Sequence, residues 1–297
     1  MQLSTSTNLF SKRIDGRTHT PYIESIQRCY NAGFRTLDFS CVELFSTYTE
    51  LNGDDWEKQL EKIDAFAESL QIQFTQGHVP YSPGYMPSFK NDEQRQAFFK
   101  MALRSIDIAR CLKIPWMVVH PFTRCDDVEY SDAASVEYNQ KFYAPILEHA
   151  VKLGVGIAFE NMIEYPIRRK FSARAEELCM LVDSFHAPEV GACWDFGHGN
   201  RLYKDQYYAL STLGSRVVAL HVNDNDGNND LHQLPFMGNV NWNRALTALK
   251  KIGYTGDFTY EVYGLTKNMP ENMKDFAATY AHTVGNQCLS LYNSLQV

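Results

Sequence analysis

The feature that most constrains the fold is an alternation: eight short apolar, β-favouring runs separated by stretches with helical periodicity. The runs cover residues 2–7, 34–39, 72–77, 116–119, 155–159, 190–194, 217–220 and 258–260. The intervening spacing predicts helices over 21–31, 54–70, 92–112, 131–153, 173–185, 203–213, 242–252 and 273–295. In the second of these, Trp56, Leu60, Ile63, Phe66, Ala67 and Leu70 recur on one face of a 3.6-residue helix. Thr20 stands where it can cap the first helix, and Gly33 where it can end it. Strands separated by a helix pair in parallel, because a parallel crossover needs that much chain. Eight such units close into a (β/α)8 barrel, which takes about 250 residues. The 297 residues therefore read as one α/β domain, 1–297, with no linker or low-complexity tract to divide it. The alternative, an open doubly wound sheet, lacks the Gly-rich dinucleotide fingerprint after its first strand.

Bulk properties narrow the partners. A net charge of −7 argues against a broad nucleic-acid surface, which calls for a basic stripe. Seven cysteines with no C-x-x-C pair point to reduced thiols rather than a zinc ribbon or redox motif. The N-terminal residues lack the apolar segment of a secretory signal, and no apolar run approaches the roughly 20 residues of a membrane span. A cytoplasmic protein is the expectation.

The chemistry lies where the strands end. The predicted strands lead into His78, His120, Glu160, Asp195, His221 and Glu261. In a parallel barrel all six face one bowl at the C-terminal rim. Such carboxylates and imidazoles strand charge in a buried cavity unless a cation or substrate satisfies them. Two Glu, one Asp and imidazole make a hard donor set suited to one divalent ion: Mn²⁺, Mg²⁺, Co²⁺ or Zn²⁺. Each residue also has a plainer reading; Asp195 could simply cap the next helix. His149 and His186 sit in or at the end of helical patterns and read as structural. Six plain explanations, one per successive strand end, are less economical than one shared site. His198, Asp230 and His232 follow nearby and read as substrate-facing, with Glu164 a further candidate for the bowl. Trp116, Trp194 and Phe122 are candidate apolar walls.

The motifs GHVPY (77–81), VVHPF (118–122), IAFENM (157–162), WDFGHGN (194–200), HVNDNDGNNDLHQLPFMGNVNW (221–242) and YEVYG (260–264) resemble those of the xylose-isomerase-like TIM-barrel superfamily, which includes sugar isomerases, ketose 3-epimerases, inosose dehydratases and relatives of endonuclease IV. The resemblance implies one metal on Glu160, Asp195, His221 and Glu261, with Glu160 and Glu261 as acid/base pair on a keto-sugar or related polyol. His78, His120, His198, Asp230 and His232 would line the substrate. Two neighbouring chemistries stay open. A lyase or dehydratase would eliminate a β-substituent from the same carbanion. An endonuclease-IV-like phosphodiesterase would use all nine residues on three zinc ions. Ketose 3-epimerases of the superfamily carry an Arg shortly after the strand-seven His, whereas 223–226 are Asn, Asp, Asn and Asp, which argues against free ketohexoses. The family also forms dimers and tetramers, so a homo-oligomer is compatible with the resemblance.

Overall fold

The computed structural model describes residues 1–10, 20–45, 49–82, 88–126 and 129–296. Its strands are β1 (Leu3–Ser6), β2 (Thr36–Ser40), β3 (Gln73–His78), β4 (Trp116–Val119), β5 (Cys125–Asp126), β6 (Glu129–Tyr130), β7 (Gly156–Glu160), β8 (Val190–Asp195), β9 (Val217–His221) and β10 (Phe258–Tyr260). Its α-helices are α1 (Tyr22–Ala32), α2 (Trp56–Ser69), α3 (Asp92–Cys111), α4 (Asp132–Leu153), α5 (Ala175–Ser184), α6 (Phe196–Asn200), α7 (Tyr207–Leu213), α8 (Trp242–Lys251) and α9 (Glu271–Ser294). Eight strands form one parallel sheet in the order β10-β1-β2-β3-β4-β7-β8-β9. The sheet closes where the Val222 amide donates to Thr259 O at 2.8 Å and the Glu261 amide donates to Val222 O at 3.1 Å. The result is the (β/α)8 barrel that the alternation predicts. The small antiparallel pair β5–β6, in the loop after β4, has no counterpart in that prediction.

Local chemistry explains most boundaries. Gly33 ends α1 in the left-handed region (φ 115°), where its amide meets the carbonyls of Cys29 and Tyr30. Thr20 does not cap that helix. Its hydroxyl donates to Phe10 O at 2.5 Å, and Pro21 takes the N-cap position without a side-chain bond. Proline serves there because its fixed φ suits a helix start and the missing amide has no intrahelical partner.

Most of the apolar core lies between the sheet and the helices. A separate cluster of Val118, Ala158, Cys193 and Ala219, one residue from each of four neighbouring strands, packs within the barrel. The opposite strands carry polar interior groups instead. Ser6 donates to Asp38 Oδ1 at 3.0 Å, and Gln76 Nε2 donates to Leu220 O at 3.1 Å. Burial pushes the Asp38 carboxyl above its usual range.

Candidate metal centre

His78, Glu160, Asp195 and His221 are the last residues of β3, β7, β8 and β9, while His120 and Glu261 immediately follow β4 and β10. The sequence reading places all six just beyond their strands. Four instead belong to the ladder, which holds their backbones more rigidly. One ligand atom from each of Glu160, Asp195, His221 and Glu261 lies within 4.8 Å of the others, and all four residues are buried. His221 Nδ1 sits between the two Glu carboxylates, 3.0 Å from Glu160 Oε1 and 3.4 Å from Glu261 Oε2.

Two further groups flank this set. His78 and His120 meet Glu160 on one side; His198, Asp230 and His232 meet on the other. Glu160 belongs to both the central and the first flanking group. Its Oε2 lies 3.0 Å from His120 Nε2 and 3.5 Å from His78 Nε2, without a geometrically sound hydrogen bond.

The imidazole orientations are set from behind. A carbonyl oxygen can only accept, so the ring nitrogen facing it carries the proton. His78 Nδ1 donates to Val79 O at 2.7 Å, His198 Nδ1 to Asn161 O at 2.8 Å, and His232 Nδ1 to Glu261 O at 2.9 Å. In the neutral ring each Nε2 then directs a lone pair inward. His78 Nε2 faces His120 Nε2 at 3.3 Å, and His232 Nε2 faces Asp230 Oδ1 at 3.1 Å. The His232 lone pair so opposed to a carboxylate calls for a cation between them, whether proton or metal. Backbone support of this kind is how proteins orient metal-binding histidines. In the central set, His221 Nδ1 faces both Glu carboxylates and the buried Glu160 Oε2 has no hydrogen-bond partner, so that donor set fits a divalent ion.

Charge states follow from the same packing. Burial raises Glu160, but His221 and His120 outweigh it and hold the carboxylate well below its usual range. Burial pushes Asp195 up to about 7, against the pull of His198. Burial lowers His120 more than Glu160 raises it, so that ring is held toward the neutral form. On the other side the balance reverses. Asp195 and Asp230 hold His198 well above the usual range despite burial, and against the same effect of burial the neighbouring Asp230 and Glu261 carboxylates lift His232 to about 9.

Asp195 caps the next helix and also lies in the central group. Its Oδ1 accepts from the His198 amide at 2.6 Å as the N-cap of α6, and Oδ2 accepts from Asn223 at 2.8 Å. Asn161 clamps the Asp195 backbone from both sides: its Oδ1 accepts from the amide at 2.6 Å and its Nδ2 donates to the carbonyl at 3.0 Å.

A family profile for the xylose isomerase-like TIM barrel matches residues 26–279. The chain belongs to that family. A similar protein is an uncharacterized protein of Methanocaldococcus jannaschii. It is 27% identical over 76% of this chain and 78% of its own length. Another, an uncharacterized protein of Sinorhizobium fredii, is 26% identical over 62% of this chain, which spans only 60% of that relative. Solved structures share the barrel at low identity. One is the IOLI protein with a bound zinc atom, with a TM-score of 0.77, 14% identity and coverage of 99% of this chain and 100% of that one. A second is a D-tagatose 3-epimerase-like protein, with a TM-score of 0.75, 20% identity and coverage of 99% and 98%.

Within this xylose isomerase-like barrel, three expected positions differ. Trp116 opens β4 at the opposite end of the barrel, where it lines a cleft with Thr75, Ser215 and Tyr254. Trp194 is fully buried and donates to Gln206 Oε1 at 2.7 Å, so it is core rather than wall. Glu164 turns away from the bowl to accept from Arg169 and Arg174. Of the three aromatic candidates, only Phe122 lines the small cleft beside His120. Two tyrosines were not anticipated. Tyr81 stacks on His120 at 4.5 Å, and the Tyr263 ring lies 4.3 Å from that of His232. Asn161 and Tyr263 each sit inside a quoted motif, within two residues of a candidate ligand, where their polarity was the available signal.

Among the described residues no helix is long and apolar enough to cross a membrane. The six cysteines whose side chains are described are free thiols.

Proposed function

We propose that residues 1–297 act as one barrel unit, a divalent-metal-dependent isomerase or epimerase of a keto-sugar or related polyol. The observation that carries this reading is the central set: two carboxylates from non-adjacent strands, Glu160 and Glu261, close around His221 and Asp195. Glu160, Asp195, His221 and Glu261 would hold the ion. A bound divalent ion supplies Lewis acidity, which favours the charge of an enediolate. One Glu removes the proton beside the carbonyl, and the other returns a proton from the opposite face. His78, His120, His198, Asp230 and His232 line the bowl and orient hydroxyls by hydrogen bonding. The similar solved structures include a D-psicose 3-epimerase with D-tagatose from Clostridium cellulolyticum H10, at a TM-score of 0.73 and 16% identity over 97% of this chain and 99% of that one. That likeness supports a small carbohydrate as substrate.

The test is solvent exchange. In D₂O the Mn²⁺-loaded protein should place deuterium on the carbon beside the carbonyl of a ketose it turns over. Turnover with no deuterium at that carbon argues against a proton exchanged with solvent through an enediolate. Loss of water or an aglycone, seen by product mass, would instead identify a lyase.

One observation favours a second reading. All nine candidate residues are assembled into three contiguous clusters, and clustered ions suit phosphoryl chemistry. Three zinc ions per chain with cleavage of abasic duplex DNA would establish a phosphodiesterase and displace the isomerase.

A further inference from the structure

Lys170 was not singled out by its sequence context, yet the loop after β7 delivers it to the bowl. It lines the cleft beside the metal centre with Tyr81, Ser82, His120 and Met162. Three successive backbone positions are pinned to achieve this. The Lys170 amide donates to Glu164 Oε2 at 3.2 Å, and the Phe171 amide to Thr123 Oγ1 at 2.9 Å. Ser172, at φ 67°, donates its hydroxyl to Glu160 O at 3.1 Å. Glu164 is itself held by Arg169 and Arg174. A surface lysine needs no such bracing. Here the ion-paired Glu164 network anchors the Lys170 backbone beside the cleft.

The surroundings of the Lys170 ammonium are mixed. Burial and Arg168 disfavour its charge, while Asp230 and Glu160 favour it. The Tyr81 ring stacks on His120 on the same side and packs edge-on against His78. An aromatic ring and a cation thus line one cleft together with His120.

We infer that Lys170 and Tyr81 form a subsite for an oxyanion carried by the substrate, so that the preferred ligand is an acidic sugar, either a sugar phosphate or a sugar carboxylate. This rests on the carbohydrate reading above and deepens it. Lys170 contacts the anion, Tyr81 covers the adjacent sugar carbons, and Glu164 is a positioning residue that acts through the Lys170 backbone.

The experiment is calorimetric binding of D-fructose, D-fructose 6-phosphate, D-fructuronate and inorganic phosphate to the Mn²⁺-loaded protein and to its Lys170→Met and Lys170→Arg variants. At least one anionic sugar should bind the native protein about tenfold more tightly than D-fructose, the scale of one charge-assisted contact. Lys170→Met should erase most of that ratio and weaken inorganic phosphate, and Lys170→Arg should retain both. The two sugar anions separate phosphate from carboxylate as the source. An unchanged ratio in Lys170→Met, or no preference in the native protein, overturns the inference. In that case Lys170 serves only as a counter-charge for Glu160 and Asp230, and its removal should weaken metal binding instead. If no sugar binds or is turned over, the isomerase reading fails, while inorganic phosphate still decides whether Lys170 holds an oxyanion.

Discussion

The two flanks of the bowl contain similar residues but hold their protons differently. His120, on the β3–β4 side, is held toward the neutral form by burial. His198 and His232, on the β8–β9 side, are held toward the charged form by Asp195 and Asp230. The cause is the number of carboxylates each flank can spend on its rings. On the first side Glu160 is shared with His221, whereas on the second Asp230 serves only His198 and His232. A neutral imidazole offers its lone pair at no proton cost, and a charged one must release a proton before it can bind a metal. Similar residue types can thus make a ready ligand on one flank and an ion-paired hydrogen-bond donor on the other.

The largest effect should separate the centre from both flanks. Glu261→Gln should lower turnover by at least about a thousandfold, within the range seen for loss of a general acid or base. The variant should fold normally, as circular dichroism and thermal unfolding would report. Near-native turnover in this variant would remove Glu261 from the chemistry.

Metal stoichiometry compares the flanks directly. For the isomerase, mass spectrometry of the native protein should count one ion, and Asp230→Asn should still hold one. A count of three that falls to two in Asp230→Asn would turn the charged flank into a metal site.

A smaller effect concerns the metal-free protein. His232 has a folded pKa near 9, above its ordinary 6.5, so its contribution to stability is complete below about pH 6.5 and is lost as pH rises through 9. Asp195, raised to about 7, costs stability in the same direction as pH climbs from its ordinary 3.8. Asp230 is depressed, so its contribution is present above about pH 3.8 and is lost as pH falls further. Thermal unfolding of metal-free protein should therefore be most resistant in mild acid and weaken toward pH 9. Added Mn²⁺ should stabilise more strongly as pH rises, because it competes with the proton on Asp195. A metal-induced shift that is constant from pH 6 to 9 would show that Asp195 holds no proton for the metal to displace.

The smallest effect on activity belongs to the far end of the barrel. Trp116→Ala should destabilise the fold by about 2–4 kcal/mol, as loss of a large packed side chain does, and leave KM within about twofold. A large KM change would mean that the two ends communicate.

The barrel was readable because each strand is a compact apolar run and each helix repeats its apolar face, patterns that depend on near neighbours alone. Candidate ligands at successive strand ends were readable for the same reason: parallel strands bring their C-terminal ends to one rim. Other features needed the tertiary structure. Glu164, four residues after Glu160, was expected in the bowl, but Arg169 and Arg174 draw it into an ion-pair network that no local spacing reveals. That same network anchors the Lys170 backbone beside the cleft. Trp116 and Trp194 occupy strand positions like those of the ligands, and only register and strand end distinguish wall from core.

The sequence by itself determined the alternation, the closed parallel barrel and the set of residues at its catalytic rim, since these follow from periodicity and strand polarity. The tertiary structure alone decided how those residues share protons, which carbonyls orient His78, His198 and His232, and that Lys170 lines the cleft beside His120. Such properties depend on distances of a few ångströms between groups far apart in the chain, where burial and opposing charge compete and packing sets the balance.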